Sequence, residues 1–220
     1  GRTRNGWSVG FLEAMTQRET VSWIDAAAVR SEVVTEPGTN YLVGRLRRDA
    51  LDGRSRLGMM ASAVNRNLRD PELRDHLHST AYQAGVDFSY ELADRTWSLS
   101  TAFTSSLVQG SADALLLTQR SSARYFQRPD ADHLQVDPQM TSLAGYFAML
   151  KLARISGAFQ MKVDLAAESP GYEINDMGFQ PRADRLIVDT NFIFQETVPG
   201  NVFRTWAIRG GPDVMWNYGG

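Results

Sequence analysis

The sequence has 220 residues, 43% of them hydrophobic, and a net charge of −2 at pH 7. It contains no cysteine, which excludes disulfides, thiol nucleophiles and cysteine-ligated metal sites. The near-neutral charge and the lack of a basic, aromatic-rich surface pattern argue against nucleic acid as a partner, and no apolar run approaches the ~18 residues of a membrane helix.

The first third of the chain alternates between apolar and polar side chains. This pattern predicts strands, because successive residues of a strand point to opposite faces. The predicted order is strand 7–16, a short corner at Gln17, strand 19–30, a polar link at 31–39, a strand from Asn40 to a tight Asp52-Gly53 turn, and strand 54–65. A long charged link over 66–79 follows.

The stretch Tyr82 to Leu107 is the clearest predicted hairpin. Its arms alternate between an aromatic-rich apolar face and a small polar face, and they meet at a tight Ala93-Asp94 corner. Each arm exceeds ten residues, whereas strands of soluble proteins usually have ~5–6. The length suits the ~9–11 residues that a tilted strand needs to cross a bilayer.

The second half begins with a long loop, 109–139, in which residues 111–126 have helical periodicity and Pro129 is expected to end the helix. Alternation returns at Thr141, where Leu143, Phe147 and Met149 are predicted to share the apolar face. The remaining predicted elements are a corner near Ser156-Gly157, strand 159–168, a link at 169–184, strand 186–195, a Pro199-Gly200 turn, strand 202–209 and a strand beginning near Met215.

The predicted connections alternate between short and long. In an up-and-down meander this places all short turns at one end of the sheet and all long loops at the other, as in outer-membrane barrels. We therefore predict an all-β protein: an antiparallel up-and-down meander of about ten strands that forms part of a transmembrane outer-membrane β-barrel, with one short helix in the 109–139 loop. A soluble barrel or sandwich has the same periodicity, with the apolar face as its core.

Two stretches carry a family resemblance, Gln119 to Asp130 (QRSSARYFQRPD) and Ser169 to Phe179 (SPGYEINDMGF). With Gly6 to Gly10 and Thr39 to Arg45, they make nearly the whole chain resemble an uncharacterised barrel-like domain. In Gram-negative bacteria, that domain follows a module similar to carbohydrate-binding module family nine. The resemblance implies an outer-membrane location. It also implies that residues 1–220 are one barrel segment of a longer chain, whose carbohydrate-binding-like domain lies outside this sequence.

The polar face is expected to line a water-filled lumen. The candidate lumen or constriction residues are Arg45, Arg47, Arg54, Arg56, Asp87, Glu91, Lys162, Asp164 and Asp189. Like charges directly across a sheet repel each other, so the four arginines need acidic partners or an exposed rim. Alternatively, they form a cationic strip that favours anionic solutes.

The 109–139 loop supplies a second set of candidates: Arg120, Arg124, Arg128, Asp130, Asp132 and His133. A spacing of four would stack the three arginines on one helix face, where they pair with lumenal carboxylates or dock an anionic group. The acidic residues around His133 fit no known calcium loop, and the His76-x-His78 pair lacks further ligands, so we predict no metal or cofactor.

We expect a pore or receptor for solutes across the cell outer membrane rather than an enzyme. Its partners would be membrane lipid and a glycan or small solute; the carbohydrate link comes from the resemblance alone. Two alternatives remain open. One is an outer-membrane hydrolase that uses Ser121, His133 and Asp130, although no nucleophile elbow places them together. The other is a soluble β-barrel or sandwich that serves as a binding module.

Overall fold

The computed structural model describes residues 1, 3, 5–51 and 53–220. The strands of the described residues are β1 (Trp7–Thr16), β2 (Glu19–Ile24), β3 (Arg30–Glu36), β4 (Thr39–Ala50), β5 (Ser55–Arg66), β6 (Thr80–Leu92), β7 (Trp97–Gln109), β8 (Ser142–Arg154), β9 (Phe159–Glu168), β10 (Arg185–Glu196), β11 (Trp206–Gly210) and β12 (Asp213–Trp216). The helices are α1 (Pro71–His76) and α2 (Ala112–Arg120).

Ten of these strands form one antiparallel sheet in the order β1-β4-β5-β6-β7-β8-β9-β10-β11, with β12 also paired to β10. β11 and β12 lie end to end along β10, and Pro212 between them accepts hydrogen bonds from Thr190. The predicted meander is confirmed. Among the described residues, however, β1 does not pair with β11 or β12, so the sheet is open and closure into a barrel is not observed.

The prediction of a single strand over 19–30, followed by a polar link at 31–39, is wrong. The chain turns at Asp25, whose carboxylate accepts hydrogen bonds from the amides of Ala27 and Val29 at 2.9 Å each, and Ala28 has a φ of +62°. β2 and β3 consequently form a separate hairpin, and β1 pairs with β4. Thr16 lies opposite Thr39, so residues 17–38 form a long connection instead of a short corner.

Both helices differ from expectation. α1 was not predicted; the Asp70 side chain caps it by accepting from the amides of Glu72 and Leu73, and Pro71 begins it. α2 ends at Arg120, well before the predicted residue 126. The chain then bends sharply: Tyr125 has a φ of +49°, and the Phe126 amide donates back to the Gln119 carbonyl. Pro129 therefore does not end the helix.

The register places the connections in two groups at opposite ends of the sheet. Residues 17–38, 67–79, 110–141 and 169–184 lie at one end. Residues 51, 53–54, 93–96, 155–158 and 197–205 lie at the other. Apart from the corner at Gln17, this is the predicted asymmetry. Of the predicted Asp52-Gly53 turn, Asp52 lies outside the described residues, and Gly53 has a φ of +83°.

The two faces of the sheet differ in polarity and in what covers them. One face is covered at the long-connection end by α1, α2 and the segments around them; we call residues 67–79, 110–141 and 169–184 the loop layer and the sheet face beneath it the inner face. Leu115 of α2 packs there on Val64, Ala81, Val108 and Leu143. The opposite, outer face carries no second layer among the described residues, and Phe103 and Phe192 on it are 48% and 36% exposed.

Leu143 and Phe147 of β8 lie on the inner face, whereas the sequence predicted them on the apolar, outer face. Leu143 lies opposite Val108 in the buried cluster, and the Phe147 ring stacks on Tyr172 of the loop layer at a centroid distance of 6.2 Å. Both side chains therefore lie on the inner face. Apolar residues occur on this face where the loop layer shields it from water.

Neither α1 nor α2, the helices of the described residues, has the length and apolar character that a membrane span requires.

Candidate functional site

The loop layer is held together by contacts between the two stretches that carried the family resemblance. The Arg124 side chain is 0% exposed; its Nη1 lies 2.5 Å from a Glu173 carboxylate oxygen, and its Nη2 donates to the Tyr172 carbonyl. The Ala183 amide also donates to the Ala123 carbonyl at 2.8 Å. Burial lowers the pKa of Arg124, although the carboxylate of Glu173 acts in the opposite direction.

This layer lies directly on the inner face of β7 and β8. The Tyr172 hydroxyl is 2.6 Å from the Thr104 hydroxyl, and burial raises the pKa of Tyr172. The Glu173 amide donates to the Ser106 hydroxyl at 2.9 Å. A Cβ at Gly145 would stand 2.1 Å from the Tyr172 backbone nitrogen, so only glycine permits this approach. The loop layer is thus attached to the sheet by buried polar contacts.

A second cluster surrounds Asp184, which is buried beside Arg128 and His133. Arg128 donates to its carboxylate, His133 Nε2 lies 3.0 Å from it, and the Tyr218 amide donates to it at 3.0 Å. Burial acts to raise the pKa of Asp184, but these hydrogen bonds hold it below its ordinary value. Asp184 was not among the predicted residues, and no local sequence signal marks it.

The predicted loop candidates are only partly brought together. Arg124 and Arg128 lie beyond the end of α2, so the predicted stacking of three arginines on one helix face is wrong, and Arg120 is exposed. Asp130, with a side chain 75% exposed, lies 3.3 Å from Arg128, and Asp132 is exposed at the surface. Among the described residues, no group of three His, Asp or Glu side chains is placed to hold a metal ion.

A third cluster lines a cleft of about 370 Å³ on the loop layer. His78 Nδ1 lies 2.8 Å from one Asp176 carboxylate oxygen, and His78 Nε2 lies 2.7 Å from the Thr118 hydroxyl. Arg66 Nη1 lies 2.5 Å from the other Asp176 oxygen. Burial acts to raise the pKa of Asp176, but the hydrogen bonds from His78 and Arg66 hold it below its ordinary value.

This cluster was missed by sequence reasoning, which considered His78 only as part of a His-x-His metal pair without further ligands. Its four members are Arg66 at the end of β5, His78 in the 67–79 segment, Thr118 in α2 and Asp176 in the 169–179 stretch. Thr118 and Asp176 lie 40 and 98 residues from His78 along the chain. The proposed hydrolase residues do not assemble in the same way. Ser121 lines the His78 cleft, whereas Asp130 lines a separate cleft of about 420 Å³.

The predicted lumen residues lie on the inner face, where most of the charged side chains have partners. Arg45 reaches across Gly58 to Asp87 at 2.5 Å, and a Cβ at Gly58 would meet both side chains within 2.6 Å. Arg47 pairs with Asp49 at 2.8 Å. The predicted requirement for acidic partners is therefore met for these two arginines.

Lys162, Asp164 and Asp189 of the predicted lumen set form a second charged group on β9 and β10, together with Lys151 of β8. Asp164 lies 3.2 Å from Lys151 and 2.9 Å from Lys162, and Lys162 lies 3.3 Å from Asp189. The remaining members lie near the short-connection end: Glu91 pairs with Arg95 at 3.2 Å, Arg54 donates to the Leu51 carbonyl, and Arg56 lies opposite Asp49. The inner face thus carries cations and anions side by side.

The chain matches a known protein family. The family described as Domain of unknown function (DUF5916) matches residues 1–218. No curated protein and no solved structure matches the chain.

Proposed function

The chain belongs to the DUF5916 family, and from the contrast between its two sheet faces we propose that it forms part of the wall of an outer-membrane β-barrel. In this proposal the barrel is a pore or receptor for a solute, such as a glycan, and the loop layer narrows its mouth. The expected location is the cell outer membrane, and the expected surroundings of the outer face are membrane lipid.

The observation that carries the proposal is the exposed apolar outer face. Along β6 and β7 it presents Val86, Phe88, Leu99 and Phe103, and along β10 it presents Phe192 and Phe194. Exposing apolar surface to water costs ~25 cal/mol per Å², whereas exposing it to hydrocarbon carries no such cost. The strands β4 to β10 have 10 to 13 residues, which is enough for a tilted strand to span a bilayer.

Lipid also places a requirement on the edges of the sheet. An unpaired backbone group in hydrocarbon costs several kcal/mol, so a membrane-spanning sheet must close on itself. Here β1 forms one edge of the sheet, and β11 and β12 together form the other. We therefore propose that further strands pair with these two edges in the assembled barrel.

The inner face suits a water-filled passage. Its charged side chains occur as ion pairs of both signs, including Arg45 with Asp87 and Lys162 with Asp189. This balance favours a passage for neutral or zwitterionic polar solutes over the strongly cationic strip considered from the sequence. The loop layer, attached to the inner face by Tyr172 and Glu173, would restrict access at one end.

Two variants of the full-length protein test the lipid-facing assignment. Phe103→Arg places a charge on the outer face, where near the bilayer midplane it should destabilise the folded barrel by roughly 2–4 kcal/mol. Ala102→Arg is the matched control, because it adds the same side chain next to it on the inner face. The amounts of folded protein in the outer-membrane fraction, measured by heat-dependent gel mobility, should fall for the first and change little for the second.

Recovery of the full-length protein in the soluble periplasmic fraction would refute the proposal and favour a soluble binding module. Equal effects of the two variants would refute the assignment of the faces. If the protein is in the membrane, swelling of liposomes that contain it distinguishes a passage for solutes from a closed receptor.

A further inference from the structure

We propose that Thr118, His78 and Asp176 form a nucleophilic acyl-transfer site in the loop layer, with a small carboxylic ester as the class of substrate. The site lies in the loop layer above the end of β5, and its chemistry does not depend on transport. It also differs from the Ser121, His133 and Asp130 set considered from the sequence.

The geometry is that of a nucleophile, a general base and a group that orients the base. Both hydrogen bonds of His78 fall within the 2.6–3.2 Å that such a relay requires: 2.7 Å from Nε2 to the Thr118 hydroxyl and 2.8 Å from Nδ1 to Asp176. The two bonds use opposite nitrogens of one ring, so a proton can pass from the hydroxyl to an imidazole that the carboxylate holds in place.

The relay needs an ionised Asp176 and a neutral His78 whose single ring proton is on Nδ1. Arg66 lies 2.5 Å from Asp176 and favours its ionised form, which then accepts the proton on His78 Nδ1. In the tautomer with the proton on Nδ1, His78 Nε2 accepts the hydroxyl proton of Thr118. The same hydroxyl lies 3.1 Å from the Ala114 carbonyl, a longer contact that competes for that single proton.

The cleft provides room for a substrate next to the hydroxyl. Its volume of about 370 Å³ is in the range of small-molecule sites. Leu77 and Leu117 line it with apolar surface, and Ser121 and Asn175 line it with side chains that can donate hydrogen bonds. Such donors are what a developing oxyanion requires.

The reaction follows from these positions. His78 Nε2 takes the hydroxyl proton as Thr118 Oγ1 bonds to the ester carbonyl carbon. The ester C–O bond then breaks, and the alcohol leaves with the proton from Nε2, so that Thr118 carries the acyl group. A water molecule, deprotonated by His78, attacks this acyl-threonine; the carboxylic acid leaves, and the proton returns to Oγ1. No oxidant, reductant or metal is needed.

The test uses the full-length protein in detergent micelles, with p-nitrophenyl butyrate as substrate and a fluorophosphonate as covalent label. Thr118→Val removes the hydroxyl but keeps the side-chain shape, and His78→Gln removes the base. Either change should lower turnover by at least about 100-fold, while Thr118→Ser should retain it. Ser122→Ala is the matched control, since Ser122 lines the other cleft, and it should retain turnover.

The label should map to the tryptic peptide 96–120, which contains Thr118. Mapping the label in the unaltered protein makes the test independent of whether each variant folds. No turnover and no labelling by the unaltered protein, a label on another peptide, or full activity in Thr118→Val would each overturn the proposal. Because the reaction is followed in micelles, its failure leaves the barrel proposal to the fractionation experiment.

Discussion

Replacing Arg124 should loosen the loop layer, because this side chain links its 110–141 and 169–184 segments. Arg124→Met would leave the carboxylate of Glu173, with a side chain 4% exposed, without its counter-charge, and the Tyr172 carbonyl without a donor. Removing one partner of a buried ion pair costs about 3–5 kcal/mol, most of it from the charge left behind. Nε and Nη1 of Arg124 make no well-directed hydrogen bond within the described residues, so the pair rests mainly on charge.

Hydrogen exchange of the full-length protein measures this effect locally. The amides of Phe126 and Ala183 donate within the loop layer, to Gln119 and Ala123, and report on its opening. A loss of 3–5 kcal/mol corresponds to roughly 10²- to 10⁴-fold faster exchange at these amides if they exchange through local opening. Arg120→Met is the matched control: Arg120 is exposed at the end of α2, and exchange should change by less than about threefold.

Neutralising the partner should restore much of the loss. In Arg124→Met combined with Glu173→Gln, no uncompensated charge remains, and the Gln side chain can still accept from the Asn175 amide as Glu173 does at 2.6 Å. We expect at least about 2 kcal/mol of recovery relative to Arg124→Met alone. Equal exchange rates in the single and double variants, or a change below about threefold in the single variant, would refute the electrostatic explanation.

Two further predictions concern close packing and pH. Gly145→Ala should destabilise the loop layer by roughly 1–3 kcal/mol, because the added Cβ would meet the backbone of Tyr172 at 2.1 Å. Gly58→Ala should destabilise the protein by no more than about 1 kcal/mol. Its Cβ would meet only the tips of two flexible side chains, which form a half-exposed ion pair. Denaturant titration of both variants makes the comparison, and equal losses would contradict it. The lowered pKa values of Asp176 and Asp184 imply stability that is fully present above their ordinary value of 3.8 and is lost as the pH falls through the lower folded values. Protease resistance of the loop layer should therefore be constant from pH 7 to pH 5 and fall only below about pH 4; a fall near pH 6 would point instead to a histidine.

The sheet could be predicted from the sequence to within a few residues along most of its length. The hairpin of β6 and β7 has the strict alternation that fixes its faces, and the observed register keeps Phe103 opposite Val86 on one side. Prediction failed where a local hydrogen bond interrupted a strand, and where the loop layer shielded the inner face from water so that apolar side chains could lie there. Asp25 turned a continuous pattern into a hairpin, and the loop layer made an apolar inner position for Leu143 favourable.

The candidate site was less predictable, because its residues are brought together by tertiary contacts. Arg124 and Arg128 were identified from their spacing, but their partners Glu173 and Asp184 lie 49 and 56 residues away. His78 was considered only as part of a metal-binding pair, because its two hydrogen-bond partners belong to other segments of the chain.

The sequence by itself determined that this chain is an antiparallel meander with one apolar and one polar face, because alternation acts between neighbouring residues. Only the tertiary structure decided where the connecting segments pack, which charges they bury and which side chains meet there. These features depend on contacts between residues far apart in the chain, and the periodicity of the sequence carries no information about such contacts.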